Sequence, residues 1–110
     1  MTCPKCGDEP LRPVAVASIE VDACRRCGGL WCDDRELQIL LDAPPPALAA
    51  LRGGRADTDA DSQPARCPRD GGRLVRMFSS RTRTVTADAC PDCQGIWLDG
   101  GELERLRAAR

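Results

Sequence analysis

The sequence predicts a small α+β fold, built twice and held by metal. Each of two tandem units is a β-hairpin carrying two metal knuckles, followed by a short helix. Three observations predict it. Residues 24–37, CRRCGGLWCDDREL, return 66 residues later as CPDCQGIWLDGGEL, with seven of fourteen positions identical. Six of the eight cysteines stand in C-x2-C pairs. Each unit spans only about forty residues, a size at which an apolar core needs help from disulfides or metal. Aromatic residues are correspondingly few: Trp31, Phe78 and Trp97.

The first unit covers residues 1–42, a linker 43–66, and the second unit 67–110. In SIEVDAC, Ile19, Val21 and Ala23 alternate with Glu20 and Asp22, the period of a strand. In TVTADAC, Val85, Ala87 and Ala89 alternate with Thr84, Thr86 and Asp88. The segments around Val14–Ala17 and Leu74–Phe78 are placed to pair with these strands as hairpins, and Pro13 suits a strand start. After each Trp comes a helix start. Asp33 with Glu36, and Asp99 with Glu102, have capping-box spacing, where the Asp oxygen accepts a backbone N–H and the Glu reaches back. That role explains both pairs better than a catalytic carboxylate pair would. Pro44–Pro46 stop the first helix, PALAALR suits a turn or two of helix, and GGRADTDADSQPA reads as a flexible tether. Its Asp57, Asp59 and Asp61 lack the Gly and closing Glu of a calcium loop. The two units are expected to fold separately.

The cysteine spacing carries the chemistry. Cys3, Cys6, Cys24 and Cys27 read C-x2-C-x17-C-x2-C, a strong zinc signal, because each pair turns two thiolates toward one tetrahedral ion. Gly7 and Gly28 follow the second cysteine of each pair and supply the permissive backbone there. The second unit departs from this pattern. Cys67, Asp70, Cys90 and Cys93 read C-x2-D-x19-C-x2-C, with Asp70 in place of a cysteine. We read Asp70 as a direct ligand, since carboxylate oxygen binds zinc. Ligation through a water, or a weakened site, are the alternatives. Two zinc ions per chain are expected.

Other residues read as structural. Cys32, whose counterpart is Leu98, suits a buried apolar position, a redox thiol being the alternative. Trp31 and Trp97 read as core residues shielding metal, rather than as a docking surface. The formal charge is −1, and seven thiolates with two zinc ions take it to −4. Residues 1–42 hold 5 basic and 8 acidic side chains, and residues 67–110 hold 8 and 6, so no protein-wide basic field attracts nucleic acid. Arg76, Arg81 and Arg83 form a local basic cluster. The opening MTCPKCGDEP has no apolar run, no stretch approaches a bilayer span, and patterned cysteines suit a reducing compartment, so a cytoplasmic location is expected.

The pattern CPxCG…DxCxxCxGxWxDxxEL resembles the bacterial transcription-factor zinc-finger family, named for likeness to the zinc ribbon of transcription factor IIB. The resemblance covers residues 3–41 and 67–106. It implies a zinc-ribbon fold with Cys3, Cys6, Cys24 and Cys27 as ligands, and carries over cleanly to Cys67, Cys90 and Cys93. The family name suggests transcription without establishing it. The expected function is a non-enzymatic zinc protein that docks onto another protein. Nucleic-acid binding and thiol or iron redox chemistry are the alternatives. No membrane partner is expected.

Overall fold

The computed structural model describes residues 1–51, 65–78 and 86–108. Strand β1 (Arg12–Val16) pairs antiparallel with β2 (Ile19–Ala23), and β2 with β3 (Leu30–Asp33), which leads into helix α1 (Asp34–Asp42). A 3-10 helix, Pro45–Leu51, follows. In the second half, β4 (Val75–Phe78) pairs with β5 (Thr86–Ala89), β5 with β6 (Gly95–Leu98), and helix α2 (Glu102–Ala108) ends the described chain. The expected hairpins are therefore present, and each gains a third strand.

The halves do not stand apart. β3 pairs antiparallel with β6, so the six strands form one sheet in the order β1-β2-β3-β6-β5-β4. Trp31 lies opposite Trp97, its own repeat. The pairs Leu30–Leu98 and Cys32–Ile96 exchange under the same operation. The repeats thus meet about a pseudo-two-fold axis, in the self-complementary manner of a symmetric dimer interface. This corrects the expectation of two separately folded units. The reason is that β3 and β6 each expose a free edge when alone, and each satisfies the other's backbone groups.

Both faces of the sheet are covered. One apolar cluster holds Trp31 and Trp97 with Cys3, Cys24, Cys27, Cys67, Cys90 and Leu74. The other holds Val16, Val21, Leu30, Cys32, Leu40, Leu98 and Leu103 beneath the helices. Residues of both halves enter both clusters. The start of the expected tether is also ordered into the fold: Leu48 and Leu51 of the 3-10 helix pack on the second cluster. Residues 52–64, with Asp57, Asp59 and Asp61, lie outside the described residues, as do Arg81, Arg83, Thr84 and Val85.

Two glycines let the halves approach. A Cβ built on Gly29 collides with Cζ2 of Trp97, and one on Gly95 collides with Cζ2 of Trp31. Each indole lies over the glycine of the other repeat. Neither glycine has a left-handed backbone, so the constraint is space alone. Gly29→Ala and Gly95→Ala are each expected to cost about 3 kcal/mol by overpacking. Chemical denaturation followed by Trp fluorescence should show both indoles leaving together, in one transition. Two separated transitions would mean that the halves fold independently.

Candidate metal centres

Four tight turns present the ligands. In each, the residue after the second ligand donates its N–H to the carbonyl of the first: Gly7 to Cys3, Gly28 to Cys24, Gly71 to Cys67 and Gln94 to Cys90, at 2.9–3.0 Å. All four donors have positive φ: 83°, 78°, 77° and 63°. Glycine adopts this backbone without penalty, while an L side chain such as Gln94 is strained there by roughly 1–2 kcal/mol. Backbone N–H groups also point at the sulfurs. Cys6 N–H lies 3.3 Å from Cys3 Sγ, Cys27 N–H 3.5 Å from Cys24 Sγ, and Cys93 N–H 3.5 Å from Cys90 Sγ. Such donors favour the thiolate form.

The turns gather the predicted residues into two clusters, Cys3–Cys6–Cys24–Cys27 and Cys67–Asp70–Cys90–Cys93, whose ligand atoms all lie within 4.8 Å of one another. Four sulfurs at ~2.3 Å from one tetrahedral zinc ion stand about 3.8 Å apart. The observed edges are 3.7 Å for Cys3–Cys27, 3.8 Å for Cys6–Cys24 and 3.6 Å for Cys67–Cys93. A zinc-bound oxygen and sulfur stand about 3.5 Å apart. Cys90 Sγ lies 3.4 Å from Asp70 Oδ2. Asp70 Oδ1 accepts the Gly72 N–H at 2.8 Å, which leaves Oδ2 turned toward the sulfurs. The donors thus fit two zinc ions, and no disulfide joins the seven ligand cysteines.

The clusters differ in electrostatics. Burial, with Cys27 and Cys24 close by, pushes the Cys6 thiol up to about 12. A hydrogen bond with Cys3, and burial, push Cys27 higher still. Burial takes Cys67 to about 12. These thiols stay protonated at neutral pH until a cation displaces their protons. Asp70 behaves oppositely: the Gly72 N–H, then Cys67 and Cys90, hold its carboxyl below the usual carboxylate range. It is exposed, whereas Cys3, Cys24, Cys67 and Cys90 are 1–2% exposed. The second centre therefore has one ionised corner open to water.

The helix caps are unequal. Asp33 and Glu36 form the full reciprocal box, with Glu36 N–H on Asp33 Oδ1 at 2.7 Å and Asp33 N–H on Glu36 Oε1 at 3.0 Å. In the second half Asp99 N–H reaches Glu102 Oε1 at 2.6 Å, but Asp99 Oδ1 accepts the Trp97 indole N–H at 2.8 Å. The Glu102 N–H instead meets the Asp99 carbonyl at 3.0 Å. Cys32 is 2% exposed, inside the helix-side cluster. Both Trp side chains are fully buried.

Sequence reading missed Lys5. Its side chain is 2% exposed, and the ammonium sits 3.4 Å from Asp88 and 3.7 Å from Asp99, both in the other half. Asp88, which alternates with the apolar residues of its strand, is buried as a result. Its counterpart Asp22, within the repeated Asp-Ala-Cys, was the available signal. Arg69, at the position matching Lys5, lies over the Trp31 ring at 6.0 Å. Arg76 pairs with Asp88 at 3.6 Å, so this member of the basic cluster already has an anionic partner.

Two outcomes follow from the centres. Gln94→Gly relieves the left-handed strain and should stabilise the chain by about 0.5–1 kcal/mol, net of the greater freedom of glycine when unfolded. Chemical denaturation of zinc-loaded protein checks it. Second, chelator titration at pH 7 should release zinc first from the Cys67 centre. The gap between the two release steps should narrow as pH falls, since four sulfurs must regain protons at the first centre and only three at the second. Asp70→Cys should remove the difference. If Asp70→Ala leaves the release curve unaltered, Asp70 is not a ligand.

No curated protein and no solved structure matches the chain. The sequence pattern of the family described as transcription factor zinc-finger, with a zinc ribbon of the transcription factor IIB type, matches residues 2–43 and again 66–109. Two matches take in most of the chain, and each contains one four-donor cluster in the expected order. The chain belongs to the transcription factor zinc-finger family, as two tandem zinc ribbons.

Proposed function

We propose that this is a non-enzymatic zinc protein that docks onto another protein of the transcription machinery. The observation that carries the reading is that each cluster already offers four donors to its ion. Structural zinc sites are closed in this way, while catalytic ones keep a position for water or substrate. Here the Cys ligands would hold zinc, with Asp70 at the remaining corner of the second site, and zinc would lock the knuckles as Lewis acid to four donors. The chain's own residues do the rest: the Trp31–Trp97 pair and the β3–β6 pairing hold the knuckles in one rigid body.

Two further observations support docking over nucleic-acid binding. Both indoles are buried, so neither can stack a base. The formal charge is −1 before metal is counted. The family description supports the link to transcription. One helix face is partly occupied within the fold. Arg107 Nη1 donates to the Leu40 carbonyl at 2.7 Å and the Leu41 carbonyl at 3.2 Å, and so caps the end of α1. Arg35, Gln38 and Arg105 remain exposed.

The test is biolayer interferometry of the zinc-loaded chain against purified RNA polymerase from the source organism. Binding should be saturable and should disappear when zinc is stripped. Sub-micromolar, sequence-specific DNA or RNA binding with no affinity for polymerase would overturn the proposal in favour of direct nucleic-acid recognition.

A further inference from the structure

Between the first knuckles of the two repeats lies an open cleft of about 600 Å³. Its walls come in matched pairs from the two halves: Thr2 with Arg66, Cys3 with Cys67, Pro4 with Pro68, and Gly7 with Gly71. Ala65 and Arg73 complete it. The cleft exists only because β3 and β6 join the repeats. Its symmetry is broken in charge, since Thr2 on one side faces Arg66 on the other.

The chemistry of the lining is specific. No Asp or Glu lines the cleft, and apart from the metal-ligand cysteines Cys3 and Cys67, which are buried, its two ionic side chains are both arginines. Arg66 and Arg73 stand on facing backbone positions of one antiparallel bridge, which brings their stems together. Arg66 Nη1 donates to the Gly71 carbonyl at 3.3 Å, which engages one donor and leaves the others for a ligand. Among the described residues no carboxylate forms an ion pair with either arginine, in contrast to Arg26 on Asp8 and Glu9. Guanidinium forks match carboxylates in paired hydrogen bonds. Pro4, Pro68 and Ala65 offer apolar wall for a short aliphatic stem. A volume of this size accommodates several residues of extended chain, and no aromatic lines it to stack a base.

We propose that this cleft receives an acidic, extended segment of a protein partner, whose carboxylates are held by Arg66 and Arg73 while its side-chain stems lie against Pro4, Pro68 and Ala65. The assignment rests on the docking function above and gives it a site. The protein's net negative charge does not draw acidic ligands from a distance, so recognition is local and declines with salt.

The experiment uses the full zinc-loaded chain, labelled with nitrogen-15, and decaglutamate as probe. Chemical-shift changes should be confined to residues 2–7 and 65–73. The variant Arg66→Glu/Arg73→Glu should weaken binding tenfold or more while keeping two zinc ions. If it loses zinc, Arg66→Gln/Arg73→Gln replaces it, and the same tenfold loss is expected. Decalysine and a ten-nucleotide oligo-dT should leave these residues unmoved. Shifts scattered over other surfaces, or unaltered affinity in the variant, would overturn the assignment. Tighter binding of oligo-dT at the same residues would also overturn it, in favour of nucleic-acid phosphate. Polymerase binding that survives the double variant sinks the cleft but not the docking function. Decaglutamate held in the cleft by a chain with no affinity for polymerase sinks the transcription link alone.

Discussion

The close approach of β3 and β6 is the constraint on which the rest of the structure depends. Trp31 and Trp97 face each other across the pseudo-two-fold axis, and each indole fills the space left by a glycine of the opposite repeat. Large aromatic side chains bury more apolar surface than any other residue, and this chain has only three. Placing two of them at the junction puts that burial where neither half could use it alone. It also removes the two strand edges most open to unwanted pairing. The metal clusters belong to the same side of the sheet and the same apolar cluster as the indoles.

The symmetry is that of a dimer made within one chain, and the two halves have diverged around it. Cys6 answers to Asp70, Gly28 to Gln94, Lys5 to Arg69. Each difference has a physical consequence. Asp70 makes the second centre harder and more exposed. Gln94 sits at φ 63°, where its counterpart needs no strain. Lys5 is buried between Asp88 and Asp99, and Asp99 also takes the Trp97 N–H. In the first half Asp33 is given to the helix cap, and Trp31 Nε1 has no hydrogen-bond partner among the described residues. One carboxylate cannot serve the indole and the cap equally well, and the halves resolve that competition differently.

How much of this was legible in the sequence follows from which signals are local. Knuckles are local, because two ligands separated by two residues specify their own turn, with glycine following in three of the four; the eight candidate ligands, Asp70 included, accordingly gather into two four-donor clusters. The hairpin strands and the Asp33 cap were legible for the same reason. The joining of the halves was not, because strand pairing between residues 31 and 97 leaves no fixed spacing to read. A signal was nevertheless present. Leu30-Trp31-Cys32 and Ile96-Trp97-Leu98 are unbroken apolar runs, as expected of strands covered on both faces. Reading them only as metal cover hid β3 and β6. The burial of Asp88 is not legible for a related reason: alternation shows that it lies on the opposite face from Ala87 and Ala89, not what covers that face.

The joined sheet also changes what zinc does for the protein. A lone ribbon of about forty residues depends on its metal to fold, since binding energy there is folding energy. Here the cluster around Cys3, Cys24 and Cys27 touches the same indoles as the cluster around Cys67 and Cys90. An ion at either centre therefore supports packing that both halves use. The Asp70 centre, with three thiols and a carboxylate, need not sustain its own half unaided, because its strands are paired to a half that offers four thiols. That sharing gives a physical reason why one corner could pass from cysteine to aspartate without loss of the fold. It also explains why the tolerated change lies at the exposed corner. Asp70 is open to water, whereas Cys67 and Cys90 are buried against Trp97 and Leu74, where an unpaired carboxylate would be costly.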